Sequence, residues 1–107
     1  MEVANTPQEV VMELEFTFRN IESTEAIRAW ALKRFAKVEK HLPEPSSAHV
    51  TLTVDKHRHR ADLTVHSMGE VLHATDETDD MYATLDGVMV KIEHAAQKHK
   101  EKAQRKG

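Results

Sequence analysis

The spacing of apolar residues changes along this chain in an order that few folds can accommodate. Near the N-terminus, apolar and polar residues alternate, as on a strand with one buried face. The apolar positions there are Met12, Leu14, Phe16 and Phe18. The same two-residue period returns in residues 50–54 and 61–65, and residues 71–75, VLHAT, follow a turn and are predicted as a short fourth strand. Each alternating segment predicts a β-strand that is apolar on one side and polar on the other.

Two other segments follow the spacing of helices. After the first strand, Ser23 and Thr24 are candidate N-caps for a helix that runs to about His41, where Pro43 and Pro45 end it. Its apolar positions are Ile27, Ala31, Phe35, Val38 and Leu42. After the fourth strand, a second helix carries an apolar arc that faces the sheet. The arc consists of Tyr82, Leu85, Val88, Met89, Ile92 and Ala96.

The order of these elements, β-α-β-β-β-α, predicts an α+β fold in which two helices pack on one face of a four-stranded sheet. A strand–helix–strand connection suits a parallel pair, and the remaining strands form an antiparallel meander. Residues 56–60, KHRHR, are the predicted hairpin connection between the second and third strands. At the start of the last helix, Thr78 is the predicted cap, with Asp79 and Asp80 in the first turn.

A length of 107 residues fits one domain. We expect a flexible tail over residues 1–10, a single α+β binding domain over residues 11–102, and a basic tail over residues 103–107. No apolar run reaches the roughly 20 residues that a membrane helix needs, and the chain has no cysteine for disulfides or thiolate metal sites. These features predict a cytoplasmic protein with no membrane partner.

The net charge of −3 conceals a strong segregation of charge along the chain. Residues 1–25 carry six acidic residues and one basic residue, and residues 61–90 carry seven acidic residues and no basic one. Residues 26–60 carry eight basic and three acidic residues, and residues 91–107 carry six basic and two acidic residues. Because local fields steer ligands, this segregation matters more than the total.

Basic residues also recur at helical spacing. The basic face of the first helix consists of Lys33, Lys37 and Lys40. The basic stripe of the last helix consists of Lys91, His94, Lys98, Lys102 and Arg105. The helix dipole accounts for basic residues in the last turn only, and Lys91 comes about two turns too early for it. An ordinary solvated face remains the alternative, although such a face would interleave acids with these lysines.

Two basic helix faces on one side of a sheet are typical of a protein that contacts a phosphate backbone. Because no base-reading motif accompanies them, the pattern favours recognition of folded RNA by shape. The predicted RNA-binding residues are Lys33, Lys37, Lys40, Arg58, Arg60, Lys91, Lys98, Lys102 and Arg105.

Other candidate sites are weaker. His57 and His59 suggest a metal, but they are flanked by cationic side chains that repel one, so we predict no metal site. The chain has no phosphate loop and no nucleophile motif, which predicts no catalytic activity, no cofactor and no small-molecule substrate. Trp30 fits the edge of a core better than a base-stacking platform. Gly87, in mid-helix, indicates a close neighbour, for instance the first helix.

Three segments together resemble a known family. They read FRNIESTEAIRAWALKRFAKVEKHL, HVTLTVDKHRHRADLTVHSMGEVLHA and TDDMYATLDGVMVKIEHAAQKHKEK. They are similar to the ribosome hibernation-promoting factors, also called ribosome-associated inhibitors or sigma-54 modulation proteins. The Asp80-Met81-Tyr82 signature is the most specific of the shared pieces, and the likeness runs from about Leu14 to Lys102. The chain resembles the short form of the family.

The resemblance implies a sheet with two helices similar to double-stranded-RNA-binding domains. It also implies binding to the small ribosomal subunit and its 16S-type RNA, with occlusion of the decoding region in stationary phase or stress. A second hibernation factor is a further partner that the resemblance allows. Basic residues on the two helices would make most RNA contacts, with Arg58 and Arg60 as additions. A general structured-RNA-binding module of the same fold is the alternative.

Overall fold

The computed structural model describes residues 13–42, 47–67 and 69–105, and the side chains of residues 14–42, 47–67 and 69–98. Its elements are β1 Glu13–Arg19, α1 Glu25–Glu39, β2 Ser47–Asp55, β3 Arg58–Ser67, β4 Glu70–Thr78 and α2 Met81–Arg105. The predicted order is confirmed. The predicted tails fall largely outside the described residues, and the domain boundaries stay predictions.

The four strands form one sheet in the order β1-β2-β3-β4. β1 pairs with β2 in parallel, and the two other pairs are antiparallel, as the connections predicted. On one face, the side chains of Val50, Leu52, Ala61, Leu63 and Val65 are completely buried. The opposite face is polar; one row across it, by register, is Thr17, Thr51, Asp62 and Thr75. The alternation therefore marks one covered face and one open face.

Both helices contribute to a single core on the covered face. From α1 the buried residues are Ile27, Ala31, Phe35 and Val38, and from α2 they include Leu85, Val88 and Ile92. Full burial of a side chain the size of Leu85 or Ile92 stabilises the fold by about 1.5–3 kcal/mol relative to leaving it exposed. β1 is different, because its three inward residues, Leu14, Phe16 and Phe18, are only partly buried.

The two helices begin at different kinds of cap. Thr24 caps α1, where its hydroxyl accepts a hydrogen bond from the Ile27 backbone N–H at 3.1 Å. The cap predicted for α2 is wrong, since Asp80 occupies that position and accepts from the Ala83 backbone N–H at 2.9 Å. Thr78 instead accepts from the Asp80 backbone N–H and so holds the segment that leads into the helix.

Three further expectations are corrected by the sheet. The hairpin turn contains only Lys56 and His57, because Asp55 pairs with Arg58 and β3 begins there. β4 is longer than the predicted residues 71–75 and continues to Thr78, because β3 begins early enough for His59 to pair with Thr78. The close neighbour of Gly87 is β4 rather than α1: a Cβ at position 87 would lie 2.8 Å from the Asp76 Cγ.

Candidate nucleic-acid interface

The basic face of α1 is exposed because the opposite side of the helix is buried in the core. Lys33, Lys37 and Lys40 are all exposed, roughly opposite the buried positions of α1. None of the three has a carboxylate partner among the residues that the structure describes. Three ammonium groups with no partner in the described part of the chain, spaced three and four residues apart on α1 and its C-cap, form a surface that attracts phosphate.

A polar clamp fixes α1 against α2. Asp86 Oδ1 accepts a hydrogen bond from Trp30 Nε1 at 2.9 Å and lies 2.9 Å from Arg34 Nε. The Arg34 guanidinium also stacks over the Trp30 ring, 4.5 Å from its centroid. Trp30 meets Tyr82 edge-on at 5.2 Å. Trp30 is thus held by packing and hydrogen bonding on both helices, as its predicted place at the core edge requires.

About two turns further along α2, His41, which directly follows the C-cap of α1, places its Nε2 3.0 Å from Glu93 Oε2 and makes a second contact with α2. Between the two contacts lies a groove of about 260 Å³. Its lining residues are Arg34, Lys37, Asp86, Met89, Val90 and Glu93. The wall that α1 supplies is basic and the wall that α2 supplies is acidic, so the groove by itself is not a uniformly positive channel.

Lys91 has a role that the sequence did not reveal. Its Nζ donates to the Thr75 carbonyl oxygen at 2.9 Å and lies 3.1 Å from Asp76 Oδ1, so it contacts the outer strand β4. The basic stripe of α2 therefore begins on the side of that helix turned toward β4, whereas Asp86 and Glu93 face α1. The acidic wall of the groove lies between the basic face of α1 and the basic stripe of α2. The two basic surfaces are therefore separate rather than continuous.

Further along the α2 stripe, Lys98 is exposed and has no carboxylate partner among the described residues. Lys102 and Arg105 belong to the helix, but their side chains lie outside the described part of the chain. Their predicted contacts with RNA stay predictions.

The sheet carries Arg58 and Arg60 on its open face, away from the lysines of the helices. Arg58 Nε donates to Glu77 Oε2 at 2.9 Å, and Arg60 donates to both carboxylate oxygens of Asp62, at 3.0 and 3.1 Å. Thr75 also donates to Asp62, at 2.8 Å. Each arginine is thus already paired with an acid, and a phosphate would have to compete for it.

These contacts shift two ionisations. Partial burial acts to raise the pKa of Asp62, but hydrogen bonds from Arg60 and Thr75 and the charge of Arg60 outweigh it, so that pKa lies below its ordinary value. The hydrogen bond to Asp62 and its negative charge raise the pKa of Arg60. The arginine is therefore a permanent cation, held in a fixed orientation.

Sequence reasoning missed Arg34, which stands beside Lys37 on the basic wall of the groove. Its signal was its position four residues after Trp30, which places both side chains on one side of α1. Neither membrane spans nor metal clusters occur among the described residues: no helix there is long and apolar enough to cross a bilayer, and no three potential ligands come together.

Comparisons with known proteins agree with this architecture. Residues 14–104 match the family model described as Sigma 54 modulation protein / S30EA ribosomal protein. The chain is similar to the ribosome hibernation promoting factor of Escherichia coli, with 40% identity over 91 residues that cover 85% of this chain and 96% of that protein. It is 30% identical to the Pseudomonas putida protein of the same name over 93 residues, covering 87% and 91% of the two chains.

Two solved structures share the fold. The N-terminal domain of Thermus thermophilus Protein Y superposes with a TM-score of 0.75 at 26% identity, covering 79% of this chain and 94% of that domain. A ribosomal subunit interface protein from Coxiella burnetii gives a TM-score of 0.74 at 26% identity, covering 85% and 99%. The predicted arrangement of two helices on a four-stranded sheet is confirmed by both.

Proposed function

This chain belongs to the Sigma 54 modulation protein / S30EA ribosomal protein family, and on that basis we propose that it is a ribosome hibernation factor. It binds the small ribosomal subunit through the basic faces of its helices and occludes the decoding region, where messenger and transfer RNA would otherwise lie. It acts in the bacterial cytoplasm under stress or in stationary phase, without catalysis. The names of its relatives, which are ribosome hibernation promoting factors and a ribosomal subunit interface protein, support this proposal.

The observation that carries the proposal is the set of unpaired lysines on α1. Lys33 and Lys37 lie on α1 and Lys40 is its C-cap; all three are exposed and have no carboxylate partner among the described residues. A lysine that neutralises a phosphate releases bound counterions, so affinity should fall steeply with salt. The helix is anchored by Trp30 and His41 to α2, and its lysines therefore approach RNA as a preformed unit.

The contacts divide the seven predicted residues whose side chains the structure describes into two groups by their expected importance. Lysines that have no partner among the described residues, such as Lys37 and Lys98, gain a phosphate at little cost. Lys91, Arg58 and Arg60 must first give up Asp76, Glu77 and Asp62 respectively. We therefore place the principal RNA contacts on Lys33, Lys37, Lys40 and Lys98, and only secondary contacts on the three paired residues.

Salt-dependent co-sedimentation with isolated small subunits tests the proposal. We expect wild-type protein to bind and the Lys37→Glu/Lys98→Glu variant to lose binding. The plot of log affinity against log salt should flatten by about 0.7–0.9 for each contact that is lost. The matched control is Lys56→Glu, an exposed lysine in the hairpin turn that lies outside the proposed contacts. Unchanged binding of the double variant would refute the assigned surface.

Competition separates a ribosome-specific factor from a general structured-RNA-binding module. At fixed salt, unlabelled small subunits should displace labelled small subunits at far lower concentration than an unrelated RNA duplex does. Equal competition by both would favour the general module. Inhibition of translation in a purified system, with the same rank order of variants as binding, would connect the surface to the proposed activity.

A further inference from the structure

The two edges of the sheet differ in how they are protected. At the β4 edge, Lys91 reaches from α2 and donates to the backbone carbonyl of Thr75. At the other edge, β1 pairs with β2 without interruption from residue 13 to residue 19, and no comparable cover occurs within the described residues. The strand contains no proline, lysine or bulge, which are three of the devices that keep an edge from pairing, and its charged residues, Glu13, Glu15 and Arg19, are of both signs. Among the described residues, nothing other than β2 pairs with the backbone of β1, so its outer edge can accept another strand.

An apolar strip follows the β1 edge. The rings of Phe16 and Phe18 lie parallel, with centroids 5.8 Å apart, and both are only partly buried. The Arg28 guanidinium stands 5.3 and 5.6 Å from the two rings. One helical turn beyond Arg28, the side chain of Leu32 is 50% exposed. The corresponding positions of β2 and β3 are completely buried, so this edge alone leaves aromatic surface uncovered on the covered face.

The chemistry of β1 is self-complementary. In an antiparallel pair of β1 strands with its two-fold axis at Thr17, Glu15 stands opposite Arg19 of the second copy and Phe16 opposite Phe18. Thr17 stands opposite its own equivalent. Opposite charges, paired aromatics and paired threonines are the cross-strand pairs that stabilise antiparallel sheets. We propose that two copies of this chain associate through β1 in this register and form one continuous eight-stranded sheet.

The charged side chains involved are available for such pairing, whereas the Thr17 hydroxyl already lies 2.8 Å from His49 Nε2. Arg19 is exposed and has no ion-pair partner within the part of the chain that the structure describes. The Glu15 side chain is 71% exposed, and its carboxylate approaches His49 Nδ1 only at 3.5 Å. A shift of the pairing by one residue would place Phe16 opposite Thr17 and turn the aromatic rings toward the polar side of the second copy. The two-fold arrangement is isologous and closes at a dimer, so it does not continue into a fibre.

A second copy of this chain is the partner that fits the β1 edge, because the complementarity is internal to the strand. An unrelated strand would have to supply an arginine, two aromatics and a glutamate in matching order, whereas β1 itself supplies them. The contact is small, consisting of one strand pair and the flanking Leu32 side chains. We therefore expect weak association that becomes visible at high protein concentration.

Charge exchange tests the register. In sedimentation velocity up to about 1 mM protein, wild-type chain should show a concentration-dependent dimer. Arg19→Glu and Glu15→Arg each place two like-charged pairs in the interface and should weaken dimerisation about tenfold or more. An equimolar mixture of the two single variants restores both opposite-charge pairs, as does the double variant Glu15→Arg/Arg19→Glu. Both should dimerise like wild type.

A purely monomeric wild-type chain over this range would overturn the proposal. So would single variants that dimerise as well as wild type, since that result would place the contact elsewhere. Failure of the mixture to recover dimer would refute the antiparallel register. Circular dichroism confirms that each variant is folded, which we expect because both side chains are largely exposed. None of these outcomes depends on ribosome binding.

Disulfide trapping gives a second, independent measurement. The chain has no cysteine, so one introduced cysteine reports on a single contact. Thr17→Cys places the thiol on the proposed two-fold axis and should form a covalent dimer under mild oxidation. The matched control is Val71→Cys on the opposite edge strand, where the native side chain is 59% exposed. Cross-linking of the control as fast as Thr17→Cys would show random collision and overturn the proposal.

Discussion

Substitution of Gly87 by alanine tests the contact between α2 and β4. In most helix interiors this change stabilises a protein by about 1 kcal/mol, because glycine loses more backbone entropy than alanine. Here the added methyl group would fall against Asp76, whose Cγ would lie 2.8 Å away and whose Cβ would lie 3.6 Å away. The Asp76 carboxylate must move, and its ion pair with Lys91, at 3.1 Å, is then lost.

The opposing contributions are similar in size. The lost ion pair is worth about 0.5 kcal/mol, because the Lys91 side chain is 55% exposed and the pair is screened by water. Forcing Asp76 from its preferred rotamer costs about 1 kcal/mol. Together these costs offset the helical gain, so Gly87→Ala should be close to neutral. In an Asp76→Ala background the obstacle is absent, and the same substitution should stabilise the protein by about 1 kcal/mol.

The double-mutant cycle consists of wild type, Gly87→Ala, Asp76→Ala and the double variant. Urea unfolding of these four proteins measures how much the effect of Gly87→Ala on stability depends on Asp76, provided that the slope of free energy against urea is unchanged. A gain of 1 kcal/mol corresponds to about 4–8 °C in Tm for a domain of this size. Asp76→Asn is the control, since it keeps the bulk of the side chain and should preserve most of the obstruction. Equal stabilisation by Gly87→Ala in all backgrounds would refute the steric explanation.

Three further predictions concern single polar contacts. Arg60→Gln should raise the pKa of Asp62 in an NMR titration. A carboxylate whose pKa is lowered by folding stabilises the fold at any pH above its unfolded pKa of about 3.9, and this stability is lost as the pH falls through its folded pKa. The variant should therefore be less stable than wild type near neutral pH and equally stable in strong acid. Asp80→Ala should cost about 1 kcal/mol in urea unfolding, whereas Asp80→Asn keeps the cap and should cost little. Asp86→Ala should cost about 1–2 kcal/mol and shift the emission of Trp30, the only tryptophan. The first prediction is contradicted if wild type and Arg60→Gln lose stability in the same way as the pH falls. The second is contradicted if Asp80→Ala and Asp80→Asn have equal effects, and the third if the emission of Trp30 is unchanged.

The strands and helices were predictable because the sheet is covered on one side only. That arrangement imposes a two-residue period on the strands and leaves each helix one buried side, and both patterns are local in sequence. The exposure of Lys33, Lys37 and Lys40 followed from the same reasoning. These features could be predicted without knowing which distant segments of the chain contact one another.

What could not be predicted depends on register between distant segments. Lys91 meets Asp76, and Arg58 meets Glu77, only because particular residues of α2, β3 and β4 come side by side. The cap of α2 was misassigned for a different reason: Thr78 and Asp80 are both good capping residues, and only the backbone decides between them. Charge spacing thus identified candidate cations but not which of them are already neutralised.

The parallel pairing of β1 with β2 also sets the order in which the molecule can assemble. β2, β3, β4 and α2 contact neighbours that are close in sequence, whereas Glu13 pairs with Ser47 across the whole of α1. Closing that longer loop costs more chain entropy, so we expect β1 and α1 to dock late during folding and to open early. The lysines of α1 would then reach their final positions only in a chain that has completed its sheet, and a nascent or partly unfolded copy would present them in no fixed arrangement.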